Sequence, residues 1–295
     1  MAAAIEQKTL FTLPIAPSGS QPGGHLTCST LVLPSSSSSS STEPPPSKIY
    51  ILTLTSPPDN RLTDTLCTAL LTALDILEFS PTKYPPGVVI TTSSLPKFFS
   101  NGLDLSSALS SPTFLPEKLY ALFRRYLTYP MPTIGLLNGH VFAGGLMLAM
   151  TMDYRVMNPH RGFACVNELD FGVPLKPAMS AIFRTKCVPT TYKRLVLEAH
   201  RFGGAEAKEA GIVDLTGGLA ETLAFVQEKK LSDKCKSGIY GLMKGEMYRE
   251  VVEGYLSPEG HEREEERVRR MVEEEGRRRE VGEKRVGEMM SKSKL

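Results

Sequence analysis

The stretch from Thr133 to Met150 limits the possible folds of this chain more than any other. It is the longest apolar run, yet Asn138, His140 and four glycines interrupt it, and Asp153 follows at once. A membrane-spanning helix needs about 20 apolar residues in succession, so the run reads instead as a buried strand, Thr133–Leu137, and a helix opening at Gly144. The two are joined by the turn Asn138-Gly139-His140-Val141-Phe142-Ala143-Gly144-Gly145.

The same alternation extends on both sides. Ile49–Thr55 and Gly87–Thr92 carry the β-branched and threonine-rich patterning of strands, and Tyr154–Met157 reads as another. Leu62–Glu78 and Leu115–Tyr129 carry apolar residues at helical spacing, the second closed by Pro130 and Pro132. Residues 178–200 and 205–211 predict further helix, with Gly211 as a C-terminal cap. Strands alternating with helices predict an α/β architecture with right-handed crossovers.

The two ends differ from this middle. Residues 1–47 form an N-terminal segment with a low-complexity Ser/Pro insertion, Ser35–Pro46, that cannot pack a core. Thr9–Leu13 and Leu26–Leu33 around it predict short edge strands. A core is expected over 48–215 and a helical C-terminal region over 216–295. Within that region, His261–Lys292 is dominated by Glu and Arg and reads as a solvated helix laced with i,i+4 ion pairs. An oligomer arm or a leash for the chain end is the alternative reading. Gly276 and Gly287 interrupt this helix at about 1 kcal/mol each. The chain ends Ser293-Lys294-Leu295, the tripeptide read by the peroxisomal import receptor.

Composition excludes several classes. The net charge of +2 over 295 residues gives no electrostatic case for nucleic acid. The N-terminus lacks the charged and apolar regions of a signal peptide. Cys28, Cys67, Cys165, Cys187 and Cys235 are scattered, odd in number and form no C-x-x-C pair, which reads as reduced buried thiols without a zinc site. Cys165, three residues before Glu168, has no histidine at a spacing that would make it a nucleophile.

Three segments carry candidate chemistry. Lys97-Phe98-Phe99-Ser100-Asn101-Gly102-Leu103-Asp104-Leu105 follows a strand, and its glycine permits a turn that can aim the Asn101 N–H into a cavity; a plain strand-to-helix loop would look the same. In the Asn138–Met147 turn, Ala143-Gly144-Gly145 lets a ligand approach the main chain. A helix starting at Gly144 would present free N–H groups and a positive dipole end. Close helix packing through glycine is the structural alternative. The third segment, Val166-Asn167-Glu168-Leu169-Asp170-Phe171-Gly172, sets a carboxylate between apolar runs, at the expected end of a strand. Burial there would raise its pKa and make it a base near neutral pH. Asp170 is the second candidate acid.

In this order and spacing the three segments resemble the crotonase (enoyl-CoA hydratase/isomerase) superfamily, over roughly Ile49 to Leu215. Phe202–Asp214 supports the likeness. The resemblance implies a spiral of ββα repeats with a helical C-terminal region that forms homotrimers or hexamers. It implies an acyl-CoA thioester as substrate, with no metal and no separate cofactor. Two backbone N–H groups would polarise the thioester carbonyl; the family's positions fall on Asn101 and Gly144. Gly102, Leu103, Asp104, Gly145, Leu146 and Met147 would contact substrate, with Leu103, Leu146 and Met147 lining the acyl pocket. Hydratases carry a glutamate three residues after the glycine donor, where this chain has Met147. Their second glutamate falls on Glu168, the one acid that Δ3,Δ2-enoyl-CoA isomerases keep. The likeness to peroxisomal isomerases of plants and fungi includes Pro130–Ile134 and Asn138-Gly139-His140. The expectation is therefore a peroxisomal matrix enzyme of β-oxidation that moves a 3-enoyl double bond to trans-2, using Glu168 for both proton transfers. A dienoyl-CoA isomerase, a hydratase, or an idle acyl-CoA binder would share much of this pattern.

Overall fold

The computed structural model describes residues 6–19, 21–32 and 48–293. The serine-rich insertion and the last two residues of the terminal tripeptide, Lys294 and Leu295, lie outside the described residues. The apolar strands assemble into one seven-stranded sheet. Its strands are β1 (Glu6–Ile15), β2 (Gly24–Val32), β3 (Lys48–Thr55), β4 (Gly87–Ser93), β6 (Thr133–Leu137), β8 (Tyr154–Met157) and β10 (Leu215–Thr216), in that order. β1, β2 and β3 pair antiparallel, and the rest pair parallel. The N-terminal strands are thus longer than expected, and β2 is an interior strand continuous with the core.

A second sheet of three short parallel strands stacks β5 (Phe98–Ser100), β7 (His140–Phe142) and β9 (Ala164–Cys165). Three successive passes, β4–β5, β6–β7 and β8–β9, each lay one strand in the large sheet, the next in the small one, and then enter helix. This is the expected spiral of ββα units.

Helix α1 (Asp64–Phe79) follows β3. Thr63 caps it by accepting the Leu66 N–H at 3.2 Å, which satisfies one of the orphan donors of the first turn. Its buried face, Leu66, Leu70, Ala73, Leu74 and Leu77, recurs at three- and four-residue spacing; full burial of each leucine contributes about 1.5–3 kcal/mol. After α2 (Leu105–Ser110), the helix expected over 115–129 starts as one π-helical segment, Phe114–Leu119, and continues as α3 (Tyr120–Thr128). α4 (Gly144–Thr151) is buried along its whole length. The helix expected over 178–200 is two, α5 (Pro177–Lys186) and α6 (Pro189–Leu197). Pro189 has no N–H to continue α5 and holds Val188 extended (φ −66°, ψ 151°). α7 (Gly204–Glu209) leads to β10, and α8 (Leu219–Glu228), α9 (Leu231–Lys234), α10 (Tyr240–Met247), α11 (Arg249–Gly254) and α12 (Pro258–Ser293) complete the chain.

Among the described residues, no helix is long and apolar enough to cross a membrane. No group of His, Cys, Asp and Glu side chains among them could hold a metal ion. All five cysteines are free. Burial pushes the Cys165 thiol up to about 11, which leaves it un-ionised and unsuited to nucleophilic attack.

Candidate active site

The loop between β3 and α1 organises the site. Asn60 is fully buried with φ +50°. Its Oδ1 accepts from the Ser56 N–H at 2.8 Å, and its Nδ2 donates to Ser93 Oγ at 2.7 Å and to the Phe99 carbonyl at 3.0 Å. One side chain therefore ties the loop to the ends of β4 and β5. Ser100 Oγ closes the bracket by donating to the Asn60 carbonyl at 2.7 Å.

This bracket settles which backbone donors are free after β5. The Asn101 N–H donates to the Asp59 carbonyl at 2.9 Å, so it is not available to a ligand, contrary to the expectation from the sequence. Leu103 takes that place. The bridge to Leu62 uses the flanking groups: the Gly102 carbonyl accepts from the Leu62 N–H at 2.7 Å, and the Asp104 N–H donates to the Leu62 carbonyl at 3.3 Å. The Leu103 N–H faces the other way and has no hydrogen-bond partner among the described residues.

Gly144 supplies a second free N–H, at the start of α4. The two donors are neighbours. A methyl group placed on Gly144 would sit 3.4 Å from the Leu103 nitrogen, and one on Gly102 would sit 3.2 Å from the Gly144 nitrogen. Ala143 aims the helix start with φ +49° and ψ −125°, a conformation that strains a residue with a Cβ. Its own N–H is held by the Cys165 carbonyl at 2.9 Å.

Leu103 lines a cavity of about 460 Å³, as does Ala143, the residue before Gly144. Glu168 lines it too; Leu105, Leu115, Val173 and Met179 give it an apolar wall; Arg61 and Lys176 supply its cations. Glu168 is the one carboxylate among the lining residues. It does not end a strand: β9 stops at Cys165, and Glu168 heads a single tight helical turn, Leu169–Phe171. Its carbonyl accepts from the N–H groups of Phe171 and Val173, at 3.2 and 3.0 Å, which fixes the turn around it. Its Oε2 is buried with no hydrogen-bond partner among the described residues. Desolvation raises its pKa to about 7. Asp170 is exposed and absent from the lining, so Glu168 is the acid at the site.

Of the six expected substrate contacts, Leu103 alone lines the cavity. Gly102 and Gly145 serve as close-packing points: a methyl on Gly145 would fall 2.7 Å from the Ser100 carbonyl oxygen. Asp104 is buried and accepts from Ser106 Oγ at 2.6 Å. Leu146 and Met147 are fully buried in the main core, because α4 has no exposed face. Arg61 and the wall residues Leu105, Leu115 and Met179 carry no local signal of their roles. Arg61 Nη1 donates to the Leu103 carbonyl at 3.1 Å and its Nε to Asp59 at 3.2 Å. Lys176 lies at the cavity, where Glu265 pairs it at 2.8 Å; Lys97 and Arg184 do not line it.

Residues 45–227 match the family described as Enoyl-CoA hydratase/isomerase. The chain belongs to this family. Enoyl-CoA delta isomerase 1, peroxisomal, of Arabidopsis thaliana is 34% identical over 213 residues, covering 70% of this chain and 88% of its own. Enoyl-CoA delta isomerase 2, peroxisomal, of the same plant is 32% identical over 219 residues, covering 69% and 90%. The crystal structure of human mitochondrial delta3-delta2-enoyl-CoA isomerase aligns with a TM-score of 0.62 at 22% identity, over 77% of this chain and 95% of that one. That likeness places the spiral in the crotonase fold. The chain is thus an enzyme of the enoyl-CoA isomerase/hydratase class.

Proposed function

We propose that this enoyl-CoA hydratase/isomerase family member is a Δ3,Δ2-enoyl-CoA isomerase. One observation carries the reading: a single carboxylate, Glu168, lies with a buried, unpaired oxygen in a cavity lined by Leu103, whose free N–H neighbours that of Gly144. The thioester oxygen sits on the N–H groups of Leu103 and Gly144. Glu168 removes a proton from C2 of a 3-enoyl-CoA, and the negative charge spreads to the thioester oxygen, where the donors stabilise it. Glu168 then returns the proton at C4, which leaves the double bond between C2 and C3. One carboxylate suffices because C2 and C4 lie on one face of a planar allylic system.

Adding water to a 2-enoyl-CoA needs a second acid to position and protonate it. The position three residues after Gly144 is Met147, buried in the core, and no other lining residue is acidic. Purified protein given 3-enoyl-CoA should form 2-enoyl-CoA, and given 2-enoyl-CoA should add no water. Rapid hydration would replace this reading with the hydratase one.

The terminal Ser293-Lys294-Leu295 and the two plant relatives named as peroxisomal support the peroxisomal matrix as the site of action, with unsaturated fatty acyl-CoA as substrate. A fluorescent fusion ending in the native tripeptide should be punctate and become diffuse when residues 293–295 are removed. Punctate signal without them would contradict the address.

A further inference from the structure

Among the described residues, helix α12 touches the body only near its base. His261 meets the Tyr120 ring edge-on at 5.5 Å, Glu265 binds Lys176 at 2.8 Å, and Arg263 donates to the Gly254 carbonyl at 2.8 Å. From Met271 to Lys292 its side chains are exposed. At 1.5 Å per residue that part reaches about 35 Å from the body.

A fully solvated helix does not require apolar residues in register, yet four of this one's, Val268, Val272, Val286 and Met289, share one, with Glu275, Arg279 and Gly282 between them. Val268, Val272, Glu275, Arg279, Gly282, Val286 and Met289 follow one another at alternating spacings of four and three, the seam of a two-stranded coiled coil. Val272 is 62% exposed, Val286 52% and Met289 64%. Arg279, Gly282, Val286 and Met290 edge a groove on the same side.

The two charges in the middle of the seam decide how a partner helix lies. Parallel, in-register copies would set Glu275 against Glu275 and Arg279 against Arg279. Antiparallel copies related by a two-fold axis set Glu275 of each against Arg279 of the other. The same register places Val272 opposite Gly282 and Val268 opposite Val286, and brings Arg269 beside Glu283. In the single chain, Arg279 forms no ion pair among the described residues, while Glu275 holds only Arg278 of its own helix, at 2.7 Å. Gly282 has open space where a side chain would be, which leaves room for the opposing valine.

We propose that α12 is an assembly arm whose seam, Val268 to Met289, pairs antiparallel with α12 of a second copy of this chain through reciprocal Glu275–Arg279 contacts. The pairing is isologous, so the same patch serves both copies.

Two full-length variants, Val272→Cys and Gly282→Cys, test it. Both positions lie on the exposed part of the arm, away from the folded body. After mixing and mild oxidation, mass spectrometry of the digest should find a 272–282 disulfide between chains, and Val272→Cys alone should give no 272–272 link. A 272–272 link would mean parallel pairing and overturn the proposal. Absence of any link through 272 or 282 would mean an unpaired helix, or one that docks elsewhere, and overturn it equally. Adding Glu275→Arg or Arg279→Glu alone to both chains should lower the 272–282 yield at least fivefold. The combined swap should restore it, and failure to restore would exclude the reciprocal contact.

Discussion

Asn101 donates twice to Asp59: its backbone N–H to the carbonyl at 2.9 Å and its side-chain Nδ2 to the carboxylate at 2.7 Å. Asn101 is therefore a strut of the site. Its double anchor turns the chain at Gly102, where φ is +86°, and leaves the next N–H, that of Leu103, free at the cavity. Replacing the Leu103 amide by an ester through semisynthesis removes that donor and only weakens the Gly102 carbonyl that accepts from the Leu62 N–H. Turnover of 3-enoyl-CoA should fall about 10²–10³-fold, the usual effect of losing one oxyanion donor. The same replacement at Asn101 removes one ordinary hydrogen bond, about 1 kcal/mol, and should lower turnover less than tenfold. Equal losses at the two positions would return Asn101 to the role of donor.

Ala143 holds a positive φ of +49° to direct the Gly144 N–H. Glycine adopts this conformation without steric cost. Ala143→Gly should therefore raise the unfolding free energy by about 1 kcal/mol, after allowing for the greater freedom of glycine in the unfolded chain. Chemical denaturation checks this, and a loss of stability would show that the alanine methyl contributes more by packing than it costs in strain.

Gly145 packs against Ser100. A methyl there would lie 2.7 Å from the Ser100 carbonyl oxygen and 2.8 Å from its Cβ and Oγ. The obstacle is backbone and a short side chain, so the small sheet must separate from α4. Gly145→Ala should cost about 1–3 kcal/mol and displace the Leu103 and Gly144 donors relative to each other. Thermal unfolding should show a lower midpoint, with turnover reduced at temperatures where the variant is still folded.

Burial raises Glu168 to about 7, so the base form grows in as pH rises through neutrality. kcat/KM should climb between about pH 6 and 8 with its midpoint near 7. Stability runs the other way. A carboxyl whose pKa is raised by folding binds its proton more tightly in the native state, so its contribution is complete below the unfolded value of 4.5. It is lost progressively as pH rises through about 7. Glu168→Gln removes this term and should gain stability relative to wild type at pH 8, by up to about 3 kcal/mol, with the gap closing below pH 5. Equal stability profiles for the two proteins would mean that Glu168 is not desolvated.

The regular parts of this fold are legible in the sequence because they rest on local patterning. β6 and β8 fall where apolar and β-branched runs place them, and α4 begins where its glycine signal stands; α1 follows its apolar spacing but starts at Asp64, after the Thr63 cap, and not at Leu62. Glu168 and Gly144 stand out in the sequence only together: each segment alone has a structural alternative, and the order and spacing of the three segments single them out. The rest depends on long-range contacts. Asn101 and Leu103 cannot be told apart without knowing that the loop at Asp59–Leu62 pairs with that strand end. Ala143 at positive φ contradicts its own preference and is held there by the Cys165 carbonyl. Met147 follows the glycines closely enough to suggest the acyl pocket, yet the complete burial of α4 puts it in the core. The cavity wall comes instead from Leu105 and Leu115, on helical segments distant in sequence from Glu168, and from Val173 and Met179 beyond the turn that it heads.

The central claim is that one carboxylate performs both proton transfers. Turnover of 3-enoyl-CoA by wild type and Glu168→Gln, followed by the absorbance of the 2-enoyl product, tests it most directly. The glutamine keeps the shape of the side chain and removes the base, so the variant should remain folded and lose at least about 10³-fold in kcat. Turnover within tenfold of wild type would contradict the single-base account.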